Sequence, residues 1–77
     1  MKVLKSKHWE LEINGTEKNA VLFGINIFDY VWKDTLETAL INGEEIRIYS
    51  VTDNNQKYLF AAKEVSYGVW EFYTYKY

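Results

Sequence analysis

The 77-residue chain has no cysteine, no proline, one histidine, one methionine and four glycines. Without cysteine no disulfide can brace the fold, and the lone His8 cannot assemble a zinc site, which needs several His or Cys ligands. His8 falls on the polar side of an alternating segment and reads as a surface residue. No stretch approaches the ~20 apolar residues of a membrane span. The basic start, MKVLKSK, is not followed by an apolar run of signal-peptide length. These absences point to a soluble, cytoplasmic chain with no membrane partner. Also missing are G-x-S-x-G, H-E-x-x-H, a phosphate-binding glycine loop and a calcium loop. With no nucleophile–base pair and no metal ligand set, the chain reads as a non-enzyme that needs no cofactor.

What the chain does have is aromatic side chains: three Trp, seven Tyr and four Phe. Each ring buries roughly 150–250 Å², so packed rings must carry a single small domain that lacks other braces. They crowd towards the end, in Tyr58 to Tyr77 (YLFAAKEVSYGVWEFYTYKY), which reads as two strands and a short turn. The formal charge is −2, and residues 29 to 45 hold Asp29, Asp34, Glu37, Glu44 and Glu45 against Lys33 alone. The spacing of these acids lacks the pattern of a calcium loop, and a solvated acidic edge that discourages edge-to-edge aggregation explains them.

Period-two alternation dominates. Trp9, Leu11 and Ile13 alternate with His8, Glu10 and Glu12, as in a half-buried strand. Asn14-Gly15 follows as a hairpin signal, although polar residues run on to Asn19 and allow a longer loop. Asn14-Gly15-Thr16 also fits a glycosylation acceptor, but without a secretory route the turn reading is preferred. A second strand returns from Ala20, with Val21, Phe23, Ile25 and Ile27 on one face. Near Phe28 the phase changes. Either a β-bulge flips the faces, or a helix occupies residues 28–41, where Phe28, Val31, Trp32, Thr35, Leu36, Ala39 and Leu40 form a stripe capped by Gly43. The β-preferring Tyr30, Val31, Trp32, Thr35 and Thr38 favour a strand, a turn at 33–36 and a short strand from Glu37 to Ile41.

Beyond a second turn at Asn42-Gly43, the run containing Ile46, Ile48 and Val51 is a strand, and residues 52–56 form a turn cluster. Strands over 58–65 and 69–75 follow, joined at 66–68. The expected fold is all-β: a small antiparallel rolled sheet or barrel of five to six strands in one domain. The alternative is α+β with one helix around residues 28–41. The expected core centres on Trp9, Leu11, Phe23, Ile25, Phe28, Trp32, Ile48, Phe60, Trp70 and Phe72. In the last strand, the side that carries Glu71 reads as the wetter one, which leaves Tyr73 and Tyr75 partly in solvent.

The run Phe60-Ala61-Ala62-x-Glu64-x-Ser66-x-x-Val69-Trp70-x-Phe72-Tyr73 resembles the ending of certain small uncharacterised bacterial proteins. Ile27-Phe28-Asp29-Tyr30-x-Trp32-x-Asp34-Thr35 resembles a matching upstream segment. The resemblance spans about half of the chain and implies a β-rich fold, with no activity, ligand or partner attached. Those proteins carry a glycine where this chain has Leu36 or Lys63.

Function then rests on the surface. Tyr, Trp and Arg dominate binding hot spots, which singles out Arg47, Tyr49, Tyr67, Tyr73 and Tyr75 as a candidate binding set. The expectation is a non-catalytic protein-binding accessory or regulatory module, partnered by another protein or by itself. The alternative is a weak single-stranded nucleic-acid binder that stacks bases on its rings. It is disfavoured because Lys2, Lys5, Lys7, Arg47, Lys57, Lys63 and Lys76 are scattered and form no basic stripe.

Overall fold

A computed structural model describes residues 9–76, so His8, Lys2, Lys5, Lys7 and Tyr77 lie outside the described residues. Seven strands appear in order: β1 (Trp9–Gly15), β2 (Val21–Leu22), β3 (Ile25–Asn26), β4 (Lys33–Ile41), β5 (Glu44–Asp53), β6 (Gln56–Ser66) and β7 (Val69–Tyr75). The long strands build one antiparallel sheet in the order β1-β7-β6-β5-β4, and β2 pairs only with β3. The all-β expectation holds. The 28–41 helix does not form: a three-residue 3-10 turn, Ile27–Asp29, is all that coils, and β4 takes most of the rest. The sheet is rolled but not closed. Its edge strands β1 and β4 approach each other without pairing.

Three tight turns explain the meander. Asn42-Gly43 has φ +51° and +81°, and Asn54-Asn55 has +53° and +65°, the doubly left-handed geometry that suits a two-residue hairpin. Phe23-Gly24 repeats it at +59° and +78°, which splits the expected 20–27 strand into the β2–β3 ribbon. The Phe23 ring, displaced by this turn, stacks on Tyr58 at 4.7 Å and is 38% exposed, so it leaves the core. Asn14-Gly15, by contrast, stays in β1, and the turn comes later, with Asn19 N–H donating to Thr16 O at 2.9 Å. Gly15 is buried for a packing reason. A Cβ there would lie 2.8 Å from both Ala20 Cβ and Asn19 O.

A one-residue bulge at Glu12 sets β1 out of phase. Leu11 pairs with Tyr73, whereas Ile13 pairs with Phe72. Trp9 and Ile13 therefore serve opposite faces of the sheet, against the uniform alternation, and Leu11 is 50% exposed rather than core. A wider bulge in β4 sets Thr35, Leu36 and Glu37 against Ile48. Its freed backbone groups are satisfied locally: Leu36 N–H donates to Asp34 Oδ1 at 2.8 Å and Glu37 N–H to Thr35 Oγ1 at 3.2 Å. The Thr35 hydroxyl in turn donates to Ile48 O at 2.7 Å.

Both faces of the sheet are apolar. One is covered by residues 20–32, where Ala20, Leu22 and Ile27 pack on Val51, Phe60, Ala62 and Phe72, with Phe28 and Trp32 wedged beside them. On the other, Ala39, Ile41, Ile46, Ile48, Ala61 and Tyr73 form a second cluster with Trp9, made possible because the sheet rolls over itself. Of the expected core, Phe60, Phe72 and Ile48 are fully buried, while Trp9, Ile25, Phe28, Trp32 and Trp70 are partly buried.

Two substitutions test this backbone reading. Leu36 holds φ +68° with its side chain 83% exposed. The left-handed conformation costs a branched residue ~1–2 kcal/mol, part of which glycine returns as unfolded-chain entropy. Leu36→Gly should therefore stabilise the fold by about 0.5–1 kcal/mol in urea unfolding. Gly15→Ala should destabilise it by about 1–3 kcal/mol, as overpacking does. An unchanged midpoint for either variant would contradict the geometry at that position.

Candidate functional site

The five tyrosine and arginine candidates do not form one site. Arg47 lies on β5 and pairs with Asp34 of β4 at 2.5 Å, both exposed. Tyr49, two residues on, is half-buried, its ring 5.2 Å from Trp32 and 6.0 Å from Phe60. Tyr67 stands fully exposed in the β6–β7 turn. Tyr75 is half-buried and meets Trp9 edge to face at 5.4 Å.

Tyr73 overturns the expectation of a wet Glu71 side. It is 7% exposed and belongs to the second apolar cluster. The rolled sheet brings β4 over this face, so a residue that alternation places outside is enclosed. Its hydroxyl donates to Glu71 Oε1 at 2.6 Å. Burial and then the Glu71 carboxylate push the phenol up to about 12. Tyr73 is thus a structural residue.

Two concave surfaces remain. The larger, about 490 Å³, opens on the rolled face beyond the second apolar cluster. Trp9, Ile48, Leu59 and Tyr75 line it, with Phe23 and Tyr58 at one side. Leu59 is 47% exposed although it sits mid-sheet, paired with Ser50. Lys57 and Glu37 also line this groove. Among the described residues neither side chain has a charged partner. The Trp9 indole N–H is buried and has no hydrogen-bond partner among the described residues.

The second surface, about 410 Å³, lies at the far end of the sheet, between the β1–β2 loop and the β6–β7 turn. Phe28, Tyr67 and Trp70 supply rings, and Glu17, Lys18 and Glu64 supply charges. Glu64 is held in place because its Oε2 accepts the Gly68 N–H at 2.8 Å.

The candidate set thus missed Trp9, Leu59, Phe28, Trp70 and Glu64. A signal for Leu59 was present: Leu59 and Phe60 are adjacent in one strand, so each face of β6 must carry an apolar residue. Nothing in the sequence announced the Phe28–Trp70 pairing, which depends on the covering segment folding back. Among the described residues no group of His, Cys, Asp and Glu side chains could hold a metal ion, and no helix is long and apolar enough to cross a membrane. No protein-family model, curated protein or solved structure matches the chain.

The Tyr73 environment carries a pH signature. Folding holds the phenol neutral, whereas an unfolded tyrosine ionises near 10. Its contribution is complete below about pH 10 and is lost as pH climbs towards 12, about 2–3 kcal/mol in all. Ultraviolet titration should leave a phenol of the seven tyrosines un-ionised near pH ~11 until denaturant is added. Tyr73→Phe should remove the latest step and leave the lesser delay of Tyr30, whose phenol is raised by its hydrogen bond to Asp53; if the latest step survives, the assignment is wrong.

Proposed function

We propose that this chain is a non-catalytic protein-binding module, of the accessory or regulatory kind, which engages a partner protein or a second copy of itself. The observation that carries the proposal is the groove on the rolled face, where Leu59, Trp9 and Tyr75 line a concave apolar surface of about 490 Å³. Apolar surface concentrated in a concavity is what a partner side chain fills, whereas single exposed apolar residues on convex surface carry no such meaning. The strands that bound the sheet add to this. Among the described residues β1 and β4 each pair on one side only, which leaves edges of the type that accept an added strand.

Chemistry on bound small molecules has less support. The hydrogen-bonded Tyr73–Glu71 pair is enclosed and lines neither concavity. Single-stranded nucleic acid has exposed rings in its favour, chiefly Tyr67. However, it needs a track of free cations, and Arg47, Lys63 and Lys76 are tied to Asp34, Glu44 and Glu12.

Leu59→Asp tests the reading, since the residue is half in solvent and its replacement leaves both buried clusters intact. The tagged protein should capture one stoichiometric protein from its native lysate, or a second copy of itself by solution mass, in a nuclease-resistant way. Leu59→Asp should lose that association while its circular dichroism stays unchanged. Association that survives the substitution, or that disappears with nuclease, would sink this assignment of the groove.

A further inference from the structure

The smaller concavity has a chemistry of its own. Phe28 and Trp70 meet at 6.1 Å with their planes at 65°, so they form two walls of a corner, and both rings are partly exposed. Tyr67, wholly in solvent at the β6–β7 turn, stands as a third wall. Two carboxylates, Glu17 and Glu64, share the lining with a single cation, Lys18. Among the described residues no Lys or Arg of the chain sits over any of these three rings.

Aromatic faces present negative potential, and a cation placed against them is attracted most where carboxylates reinforce the field. We propose that this corner receives a cationic side chain, arginine or lysine, from a basic segment of a partner protein. The choice of partner follows from charge complementarity. Within the lining two carboxylates, Glu17 and Glu64, stand against one ammonium, Lys18. An anionic occupant would face Glu17 and Glu64, and an apolar one would strand both carboxylates against it. A guanidinium or ammonium stacks on Trp70 or Tyr67 while pairing with the free oxygen of Glu64, whose other oxygen is fixed by Gly68. This inference rests on the binding-module reading but uses a different surface, whose lining shares no residue with the Leu59 groove.

The test uses the full chain, labelled with nitrogen-15, and short hexa-arginine, hexa-lysine and neutral hexa-citrulline peptides as probes. The cationic peptides should shift the Trp70 indole, Gly68 and Lys18 resonances together. Hexa-citrulline should leave them in place. Tyr67→Ala removes a fully exposed ring, and Glu64→Gln keeps the acceptor for Gly68 but loses the charge. Each should weaken the cationic probes about two- to fivefold without altering the melting temperature. Lys18→Gln should tighten them by a similar factor, because it removes the cation that competes for the corner. Equal shifts with hexa-citrulline, or cationic binding indifferent to all three substitutions, would overturn the proposal. So would shifts confined to the Leu59 groove. If Leu59→Asp abolishes partner capture while the cationic peptides move nothing, the binding-module reading stands and this one falls. A preference for arginine over lysine identifies stacking, and equal binding identifies charge alone, either of which supports the cation site.

Discussion

The fold depends on where the Trp32 ring sits. Its centroid is 5.0 Å from Phe60, 5.1 Å from Phe28, 5.2 Å from Tyr49, 5.3 Å from Trp70 and 5.8 Å from Phe72. Four of these five partners lie on three different strands of the sheet, so one side chain ties β5, β6 and β7 to the segment that covers them. Most contacts are edge to face or tilted, arrangements worth ~0.5–1.5 kcal/mol each beyond the area buried. The indole N–H donates to Ile27 O at 2.9 Å, which satisfies a polar atom that would otherwise be costly to place there. The same carbonyl accepts from Tyr30 N–H at 3.3 Å, so the 3-10 turn and the Trp32 ring are fixed by one acceptor.

That arrangement answers a problem of size. A five-stranded sheet with two apolar faces needs cover on both sides, and the described residues include no α-helix to provide it. On one face the cover is a short irregular segment whose reach comes from large rings rather than from backbone length. Asn26 and Asp53 hold that segment in place. The Asn26 Oδ1 accepts the Phe28 N–H, and Asp53 accepts the Tyr30 hydroxyl at 2.9 Å. On the other face the sheet supplies its own cover by rolling, and bulges in β1 and β4 accompany the bending. A roll without closure fills the end near Ile46 and Ala61 and leaves the Leu59 end open. The groove is therefore a by-product of how this face is buried.

The same physics sets what the sequence disclosed. The Asn42-Gly43 turn, the strand through Ile46, Ile48 and Val51, the strand over 58–65 and the final hairpin were legible because their signals are local: turn chemistry and alternation. The failures came where distant residues decide. Glu12 bulges because β1 must bring Ile13 under Phe72, and no property of Glu12 itself announces that. The left-handed Phe23-Gly24 turn sends the Phe23 ring onto Tyr58, 35 positions later in the chain, a partner that local alternation does not disclose. Tyr73 looked wet beside Glu71 and is enclosed, because alternation reports which side of a strand a residue is on and not whether that side is covered. The candidate binding set inherited this error. Of its members only Tyr67 and Tyr75 line a concavity, and they line different ones.

Surface charge is paired at three places on the sheet. Arg47, Lys63 and Lys76 are each matched to a carboxylate across a strand pair or sheet edge, exposed contacts that solvent screens and that do more to neutralise the surface than to hold it. Of the three remaining described cations, Lys18 lines the ringed corner, Lys57 the apolar groove and Lys33 neither, each without an ion-pair partner among the described residues. Their carboxylate neighbours there, Glu17 and Glu37, are equally unpaired. Unpaired charge is not confined to the concavities, however: Glu10 of β1, Lys33 of β4 and Glu45 of β5 also lack an ion-pair partner among the described residues and line neither of them. What sets the two concavities apart from the flat parts of the sheet is therefore their shape and their rings, not charge left over from pairing.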